Sequence, residues 1–294
     1  MIFISEFARE TGILTGLAIG DALGAPFECL PPPRRYVTAM EACWRYPGRK
    51  GKYTDDTLQA LAVARSLVQC RGFSQDDMMI RLLEGYNERP EFFGPTSSAV
   101  FELVLAGTAP GEATRIVHER NRGSRSNGSV MRGAPLGIMF EGEELHEISI
   151  LCSRLTHFDP VAGECSAFLN QMAAGLVRGH NRDQAFVRAL ARCRNEEVLA
   201  VLDAYDTRSP VPGLDALECT HAALTCFMEG QSFEDAVLNA INLGGDADTV
   251  GACTGTLAGA YWGIDAIPGR WKQELEDYPL IVAVAIELAR VARK

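Results

Sequence analysis

The stretch NLGGDADTVG at residues 242–251 places two carboxylates directly after a pair of glycines. The glycines allow a tight turn with positive φ at little steric cost. Asp246 or Asp248 would then lie at or near the N-cap of the apolar, small-residue run 250–262, where a side-chain oxygen can accept a hydrogen bond from a free backbone N–H. One aspartate is enough for that task. Hard oxygen ligands packed this closely repel one another unless a cation lies between them.

A second stretch, TDDT at residues 54–57, has a similar composition and also precedes an apolar run, residues 58–68. Each motif alone has a simpler explanation, because a threonine or aspartate can cap a helix and acidic residues are favoured in its first turn. Two matched motifs with few basic neighbours favour a different interpretation. We predict that their four carboxylates and two or three hydroxyls converge on a site for one or two Mg²⁺ or Mn²⁺ ions, which prefer oxygen ligands.

The composition is that of an ordinary globular chain. Of its 294 residues, 47% are apolar and 22% are charged, enough to bury a sizeable core in one large domain or two small ones. Lys plus Arg number 28 and Asp plus Glu number 38, which gives a net charge of −10. That charge argues against general nucleic-acid binding, although it allows local basic patches.

The nine cysteines form no CxxC pair, and several lie in apolar helical runs, where cysteine behaves as a small hydrophobic residue. We therefore expect a reduced, cytoplasmic chain without zinc. Residues 1–11 lack the basic and apolar regions of a signal peptide. The longest apolar run, residues 250–264, is too short and too rich in glycine to span a bilayer, so we expect no membrane association.

Helical patterning dominates the sequence. We find no convincing period-two strand of five residues and no hairpin dipeptide, and no linker divides the chain. We therefore predict an all-α fold in which residues 1–294 form a single compact domain of many helices. The predicted helices are residues 7–23, 58–68, 74–89, 98–105, 111–119, 143–155, 162–177, 184–193, 214–228, 232–243, 250–262 and 278–291.

The first helix and the helix after the second acidic motif both carry glycines at four-residue spacing. These glycines are Gly16, Gly20 and Gly24, and then Gly251, Gly255 and Gly259. In membranes this spacing marks faces where two helices approach closely. In this chain we predict a close helix crossing in the core beneath the acidic site.

A glycine-, serine- and asparagine-rich segment, GSRSNGSVMR at residues 123–132, offers backbone N–H groups and hydroxyls to an anion. Nearby arginines add a local positive field. A flexible, solvated loop is an equally good interpretation of this segment taken alone. Two further candidates are weaker: Glu28, a carboxylate just past a helix end, and His157, whose position is more usual for a capping or core role than for catalysis.

Taken together, several segments resemble the ADP-ribosylglycohydrolase family, the relatives of dinitrogenase-reductase-activating glycohydrolase. They are GLAIGDALG at residues 16–24, TDDT at residues 54–57, Asn127-Gly128 with Met131-Arg132, Thr156-His157, and GGDADT at residues 244–249. The segments occur in family order and extend from residue 12 to about residue 270. The resemblance implies a single compact all-α domain, in agreement with the helical pattern.

The resemblance also implies a dinuclear Mg²⁺ or Mn²⁺ site to which each acidic motif supplies half of the ligands. The implied metal ligands are Thr54, Asp55, Asp56, Asp246, Asp248 and Thr249. Glu28 matches a family glutamate that approaches the metals and the bound ribose, so the implied catalytic residues are Glu28, Asp55 and Asp248. The implied substrate-binding residues are Gly94, Ser124, Ser126, Asn127, Gly128, Met131, Arg132 and His157.

The implied activity is hydrolysis of the C1″ glycosidic bond that joins ADP-ribose to a protein side chain or a small conjugate. Such a bond breaks through an oxocarbenium-like transition state. Cations can orient the vicinal ribose hydroxyls and lower the pKa of the attacking water, and a carboxylate such as Glu28 can take its proton. The implied partner is an ADP-ribosylated protein or a small ADP-ribose conjugate.

One position departs from the family pattern. Arginine-specific members carry an acidic residue directly before the substrate-loop glycine, whereas here Phe93 precedes Gly94. Serine, another O-linked acceptor and a small conjugate therefore stay open beside arginine. Two alternative functions agree less well with the sequence. An inert ADP-ribose-binding domain could lose its metal ligands, but all six implied ligand positions retain oxygen side chains. An HD-type phosphohydrolase needs a His-Asp dipeptide, which the sequence lacks.

Overall fold

Nearly all of the regular structure is α-helical in the computed structural model, which describes residues 6–43 and 47–293. Within these ranges β pairing is limited to three isolated bridges, so the predicted all-α fold class is confirmed. The α-helices, numbered along these ranges, are α1 (Ala8–Gly24), α2 (Asp55–Cys70), α3 (Gln75–Glu88), α4 (Pro95–Leu105), α5 (Pro110–Arg120), α6 (Leu136–Met139), α7 (Gly142–Ser153), α8 (Pro160–Val177), α9 (Arg182–Leu190), α10 (Glu196–Asp203), α11 (Ala216–Glu229), α12 (Phe233–Ile241), α13 (Ala247–Trp262), α14 (Gly269–Glu274) and α15 (Tyr278–Ala292).

Most of the predicted helices agree with the structure to within a few residues. Ser74 caps α3 as its sequence indicates, because its hydroxyl accepts a hydrogen bond from the backbone N–H of Asp77 at 3.3 Å. The short helices α6, α10 and α14 are absent from the predicted set, since so few residues give too little apolar periodicity. Residues 1–5, part of the segment considered for a signal peptide, lie outside the described residues.

Helices α1 and α13 cross so closely that no side chain fits between their backbones. A Cβ atom added to Gly16 would lie 2.1 Å from the carbonyl oxygen of Gly255, and one added to Gly20 would lie 2.0 Å from that of Gly251. Contacts this short would force one helix to move, because protein interiors are close-packed. The close crossing predicted from the glycine spacing is confirmed.

The two helices run antiparallel, which brings the last turn of α1 to the first turn of α13. A Cβ atom added to Gly24 would meet the backbone nitrogen of Asp248 at 2.4 Å. The second acidic motif therefore starts directly beside the end of α1. The same end of α1 carries Asp21, which is fully buried.

The glycine pair before α13 holds the loop that follows α1. Gly244 and Gly245 have φ angles of 71° and 62°, the left-handed region that glycine tolerates and that the sequence predicts here. The N–H of Gly245 donates to the carbonyl of Leu30, and the N–H of Cys29 donates to the carbonyl of Gly245, both at 2.7 Å. Glu28 is therefore held one residue away from this two-bond bridge.

The structure also shows the state of the cysteines and the lengths of the apolar helices. All nine cysteines are free thiols, and Cys29 and Cys70 are exposed. Over residues 6–43 and 47–293, no helix is long and apolar enough to cross a membrane.

Candidate metal and substrate site

A cavity of about 230 Å³ opens where helices α2 and α13 begin. Carboxylates of both acidic motifs line it, together with small, hydroxyl and amide side chains from other segments. The polar and glycine residues that line it are Glu28, Asp55, Asp56, Gly94, Thr96, Ser97, Ser126, Asn127, Gly128, His157, Asp246, Asp248 and Thr249. The two motifs, far apart in sequence, therefore meet at one place.

The first acidic motif is held by a carboxylate from α1. The two oxygens of Asp21 accept hydrogen bonds from the backbone N–H groups of Thr54 and Thr57 at 2.9 and 3.0 Å. They also accept from the hydroxyls of Thr54 at 3.0 Å and Thr57 at 2.6 Å. Thr54 occupies the N-cap position of α2 without making a side-chain capping bond. Asp21 thus satisfies the free N–H groups that a capping side chain would otherwise satisfy.

Asp55 and Asp56 are neighbours at the start of α2 and have different partners. Oδ2 of Asp55 accepts from the side-chain amide of Gln59 at 2.8 Å, one helical turn later. Oδ2 of Asp56 lies 3.3 Å from the hydroxyl of Thr54, whose single proton has a closer acceptor in Asp21 at 3.0 Å. Oδ1 of Asp56 is buried and has no hydrogen-bond partner among the described residues. Such an oxygen costs free energy unless a cation takes the place of the donor.

The second acidic motif is held by residues of loops. The side-chain amide of Asn127 donates a hydrogen bond to Oδ2 of Asp246. Asp246 occupies the N-cap position of α13 but makes no side-chain capping bond, and its backbone N–H donates to the carbonyl of Pro212 at 2.9 Å. Oδ1 of Asp248 accepts from the backbone N–H of Thr249 at 3.0 Å. Helix capping therefore does not explain the carboxylate of Asp246.

The donor set of this site fits an oxygen-preferring cation. Asp21, Asp56 and Asp248 are buried, and each has a carboxylate oxygen within 4.8 Å of the oxygens of the other two. Both oxygens of Asp21 already accept hydrogen bonds from the threonines of the first acidic motif, so Asp21 supports the site while Asp56 and Asp248 offer oxygens to a cation. Burial, and then the neighbouring carboxylates, raise the pKa of Asp56 and of Asp248 well above the usual value. Burial is also the main cause that raises the pKa of Asp55 to about 8. A divalent cation would offset this repulsion, and an all-oxygen set suits Mg²⁺ or Mn²⁺.

Most of the predicted substrate-binding residues line the cavity. They are Gly94, Ser126, Asn127, Gly128, Met131 and His157. Ser124 and Arg132 do not line it. The hydroxyl of Ser124 accepts from the backbone N–H groups of Phe158 at 3.0 Å and Asp159 at 3.2 Å, so it holds the chain after His157. Arg132 is fully buried. Because neither residue lines the cavity, both can support it only through the residues that do.

His157 is a buried side chain that bonds on both sides of its ring. Its Nε2 lies 2.8 Å from the hydroxyl of Ser126, and its Nδ1 lies 2.8 Å from the hydroxyl of Thr156. Burial, followed by the charge of Arg132, lowers the pKa of the ring to about 3. The imidazole is therefore neutral at physiological pH.

Glu28 reaches the cavity from the loop that is bridged to Gly245. Its side chain is half-buried and lies in the cavity lining. After burial and nearer aspartates, the charge of Glu28 also raises the pKa of Asp55 and of Asp248. Glu28 thus shares the cavity with carboxylates of both motifs.

Asp21 and Gln59 are residues of the site that the sequence analysis does not single out. The available signal for Asp21 was its position inside an apolar helix, because a carboxylate is seldom fully buried unless it has partners. Gln59 follows Asp55 by one helical turn, where side chains meet. That spacing is too common in helices to indicate a function.

Three comparisons with known proteins give the same result. The model of the ADP-ribosylglycohydrolase family matches residues 5–294. ADP-ribosylhydrolase ARH3 of Homo sapiens is 27% identical over 98% of this chain and 95% of its own length. ADP-ribosylarginine hydrolase Tri1 of Serratia proteamaculans is 30% identical over 97% of this chain and 80% of its own. A solved structure described as an ADP-ribosylglycohydrolase-related protein complex superposes with a TM-score of 0.84 at 35% identity, covering 97% of this chain and 98% of that chain.

Proposed function

The chain belongs to the ADP-ribosylglycohydrolase family, and on this basis we propose that it is a divalent-cation-dependent hydrolase of the C1″ glycosidic bond of ADP-ribose attached to a protein side chain or a small conjugate. The observation that carries the proposal is the cavity in which the carboxylates of both acidic motifs meet the amide and hydroxyl groups of residues 126–128. An acidic cluster alone would suit only a cation. This cavity also offers uncharged hydrogen-bond donors to a phosphate or a sugar.

The proposed ligands of two Mg²⁺ or Mn²⁺ ions are Thr54, Asp55, Asp56, Asp246, Asp248 and Thr249. The buried Oδ1 of Asp56, which has no donor among the described residues, supports this assignment. When bound, such ions supply Lewis-acid chemistry, because they orient ribose hydroxyls and lower the pKa of a water molecule.

The carboxylates around C1″ are assigned different tasks in hydrolysis. The bond from C1″ to the acceptor atom breaks through an oxocarbenium-like transition state while a water oxygen bonds to C1″. Glu28 is proposed to accept the proton of that water, and its proximity to Asp55 and Asp248 supports this role. Asp55 and Asp248 would orient the water and the ribose. The acceptor leaves with a proton in place of ADP-ribose.

The diphosphate is proposed to bind at Ser126, Asn127 and Gly128, where a short helical turn of residues 127–129 begins. Backbone N–H groups at such a turn can donate to phosphate oxygens. His157 and Met131 complete this part of the cavity, with Gly94 on its rim. Ser124 and Arg132 are proposed to support these residues from behind rather than to touch the substrate.

The acceptor stays open, although Phe93 disfavours arginine. The Phe93 ring is buried and packs edge-on against Tyr86 at 5.4 Å and Phe101 at 5.8 Å between ring centroids. An apolar cluster offers no carboxylate to a guanidinium leaving group. One relative, Tri1 of Serratia proteamaculans, is named as an ADP-ribosylarginine hydrolase, so arginine is kept in the test.

The deciding experiment is a panel of arginine-, serine- and O-acetyl-linked ADP-ribose substrates, each incubated with Mg²⁺, Mn²⁺ or EDTA. We expect release of ADP-ribose from at least one conjugate, loss of that release in EDTA and its recovery on adding either ion. Binding of ADP-ribose without hydrolysis of any conjugate would instead identify an inert binding domain. Hydrolysis that is equally fast in EDTA would contradict the cation-dependent mechanism.

A further inference from the structure

A continuous chain of side-chain hydrogen bonds connects the first acidic motif to the residues proposed to hold the diphosphate. Its members, in order, are Asp55, Gln59, Arg132, Thr156, His157 and Ser126. We propose that Arg132, at its centre, is a positioning residue that fixes the direction of donation along the chain, so that Ser126 presents its hydroxyl proton to the ligand. The proposed function enters only in naming that ligand as ADP-ribose.

The direction of donation starts at Arg132 because a guanidinium can donate hydrogen bonds but cannot accept them. Its Nη1 donates to Oγ1 of Thr156 at 2.8 Å and to Oε1 of Gln59 at 2.9 Å. Its Nη2 donates to the carbonyls of Cys152 at 2.8 Å and Ser153 at 3.3 Å, at the end of helix α7. A helix C-terminus favours a positive charge, which helps to retain this cation in a fully buried position.

Between Arg132 and Ser126, each bond determines the next. The Thr156 oxygen accepts from Arg132, so its own proton must find an acceptor, and within the described residues that acceptor is Nδ1 of His157 at 2.8 Å. A neutral imidazole that accepts at Nδ1 carries its proton on Nε2. That Nε2–H then donates to Oγ of Ser126 at 2.8 Å.

The Ser126 hydroxyl oxygen therefore accepts a hydrogen bond from His157, and its own proton can be donated to a ligand in the cavity. Apart from His157, the acceptor for that proton within the described part of the chain is the hydroxyl of Thr96 at 3.4 Å, a long and weak bond. A phosphate or sugar oxygen in the cavity would be a better acceptor. If His157 had the other tautomer, Ser126 would have to donate to Nε2 and would present only lone pairs, which repel an anion.

The guanidinium of Arg132 also fixes the direction of the hydrogen bonds that lead to Asp55. Because Arg132 donates to Oε1 of Gln59, the Gln59 amide must turn its Nε2 toward Asp55, where it donates to Oδ2 at 2.8 Å. The buried guanidinium of Arg132 thus orients both a carboxylate of the first acidic motif and the hydroxyl of Ser126 in the substrate-binding segment.

The test uses Thr156, the residue between Arg132 and His157, in a matched pair of variants. Thr156→Val keeps the shape of the side chain but removes the hydroxyl that links the guanidinium to the ring. Thr156→Ser keeps the hydroxyl and serves as the conservative control. Thermal unfolding of both variants shows that they are folded before they are compared.

The first measurement is the tautomer of His157 in the ¹⁵N-labelled full chain, read from the long-range ¹H–¹⁵N spectrum of the imidazole rings. Only five histidines contribute, and His157 is assigned from the signals that vanish in His157→Gln. We expect a single neutral form protonated on Nε2 in the wild type and in Thr156→Ser. We expect Thr156→Val to contain both neutral tautomers. An unchanged tautomer in Thr156→Val would overturn the proposal.

The second measurement is ADP-ribose binding by calorimetry with Mg²⁺ present, which does not depend on turnover because ADP-ribose is the product of the proposed hydrolysis. We expect Thr156→Val to bind about tenfold more weakly, the usual loss for one impaired hydrogen bond to a charged group, and Thr156→Ser to bind like the wild type. Ser126→Ala should weaken binding less in the Thr156→Val background than in the wild type, because both substitutions act through one hydroxyl. Additive losses would contradict the proposal, whereas a wild type that binds no ADP-ribose would contradict the proposed function and leave the tautomer result to decide the inference.

Discussion

The two acidic motifs are alike in sequence but are held by different parts of the molecule. The TDDT motif is held by Asp21, a buried residue of α1, which bonds to the backbone and hydroxyls of residues 54–57. The GGDADT motif is held by loops: Asn127 bonds to Asp246, and Gly245 is bridged to Leu30. The first motif thus has a support inside the helical core. The second shares its support with residues proposed to bind substrate and with the loop of Glu28.

This difference suggests a division of labour between the two halves of the site. A carboxylate anchored to the α1–α13 crossing cannot move without moving a helix, because the glycines there leave no space. A carboxylate anchored to Asn127 can adjust when a ligand contacts the same loop. We therefore expect the first motif, together with Asp248 packed against Gly24 of α1, to set the geometry of the site, and Asp246 to respond to substrate.

The largest effect should come from removing one proposed ligand in each motif. Asp56→Ala and Asp248→Ala should each abolish both Mn²⁺ binding and turnover, because a shared site loses its coordination sphere from either side. Calorimetry gives the stoichiometry, and single-turnover hydrolysis gives the rate. Asp77→Asn, which replaces a half-buried carboxylate that is bonded to Arg81 and does not line the cavity, is the control and should behave like the wild type in both measurements. If each variant kept one ion at full affinity, the motifs would form two separate sites.

The second-largest effect is expected for Glu28→Gln, which tests proton transfer separately from ion binding. Glu28→Gln should lower hydrolysis by about 10²-fold or more, the usual worth of a positioned acid or base. Most Mn²⁺ affinity should remain, since an amide oxygen can still approach a cation. The comparison with Asp248→Ala decides the role, because only Asp248→Ala should lose the ions. Near-normal hydrolysis by Glu28→Gln would show that Glu28 has a structural role and no role in proton transfer.

The core support of the first motif is tested by Asp21→Asn. The amide nitrogen of the new side chain cannot accept from the threonine N–H and hydroxyl groups that the carboxylate accepts from. We expect Mn²⁺ affinity to fall roughly 10- to 100-fold, as for other residues that orient metal ligands. Stability should fall by about 1–3 kcal/mol because buried donors lose their partner. Wild-type affinity in this variant would show that the core support is dispensable.

The loop support of the second motif is tested by Asn127→Asp. The new carboxylate would face Asp246, where an amide now donates, and would also bring negative charge toward the diphosphate. We expect ADP-ribose to bind about five- to tenfold more weakly, with little change in the free energy of unfolding. Calorimetry with Asn127→Ser as the neutral control measures this. Equal affinities for the wild type and Asn127→Asp would remove this residue from the substrate site.

The sequence allowed the two motifs, the helical fold and the glycine crossing to be predicted, because each has a local signal: matched Thr and Asp residues, apolar periodicity and four-residue glycine spacing. It did not reveal what holds the motifs. Asp21 acts on Thr54 across a helix contact, and no spacing along the chain encodes that pair. Ser124 lies in a segment whose composition suits a phosphate, but tertiary contacts that the sequence does not reveal engage its hydroxyl.

The smallest expected effect is the pH dependence of stability, which distinguishes protons from cations at the same carboxylates. Burial raises the pKa of Asp21 to about 6 and that of Asp55 to about 8, from a usual value of 3.8. These groups bind more protons in the folded than in the unfolded state, so their contribution is present at low pH and lost as pH rises through 6 to 8. His157, with its pKa lowered to about 3, acts in the opposite sense, but only below its usual value of 6.5.

Between pH 6.5 and 8.5 the carboxylates therefore decide the slope, and stability in EDTA should fall as pH rises. Saturating Mn²⁺ should flatten or reverse that slope, because a cation takes the place of the protons that the folded site would otherwise retain. Urea unfolding at several pH values, with and without Mn²⁺, measures both slopes. Asp21→Asn should reduce the slope in EDTA, because it removes a negative charge that helps to raise the pKa of Asp55. Parallel slopes with and without Mn²⁺ would mean that the ion and the protons occupy different places, and the buried carboxylates would then need another explanation.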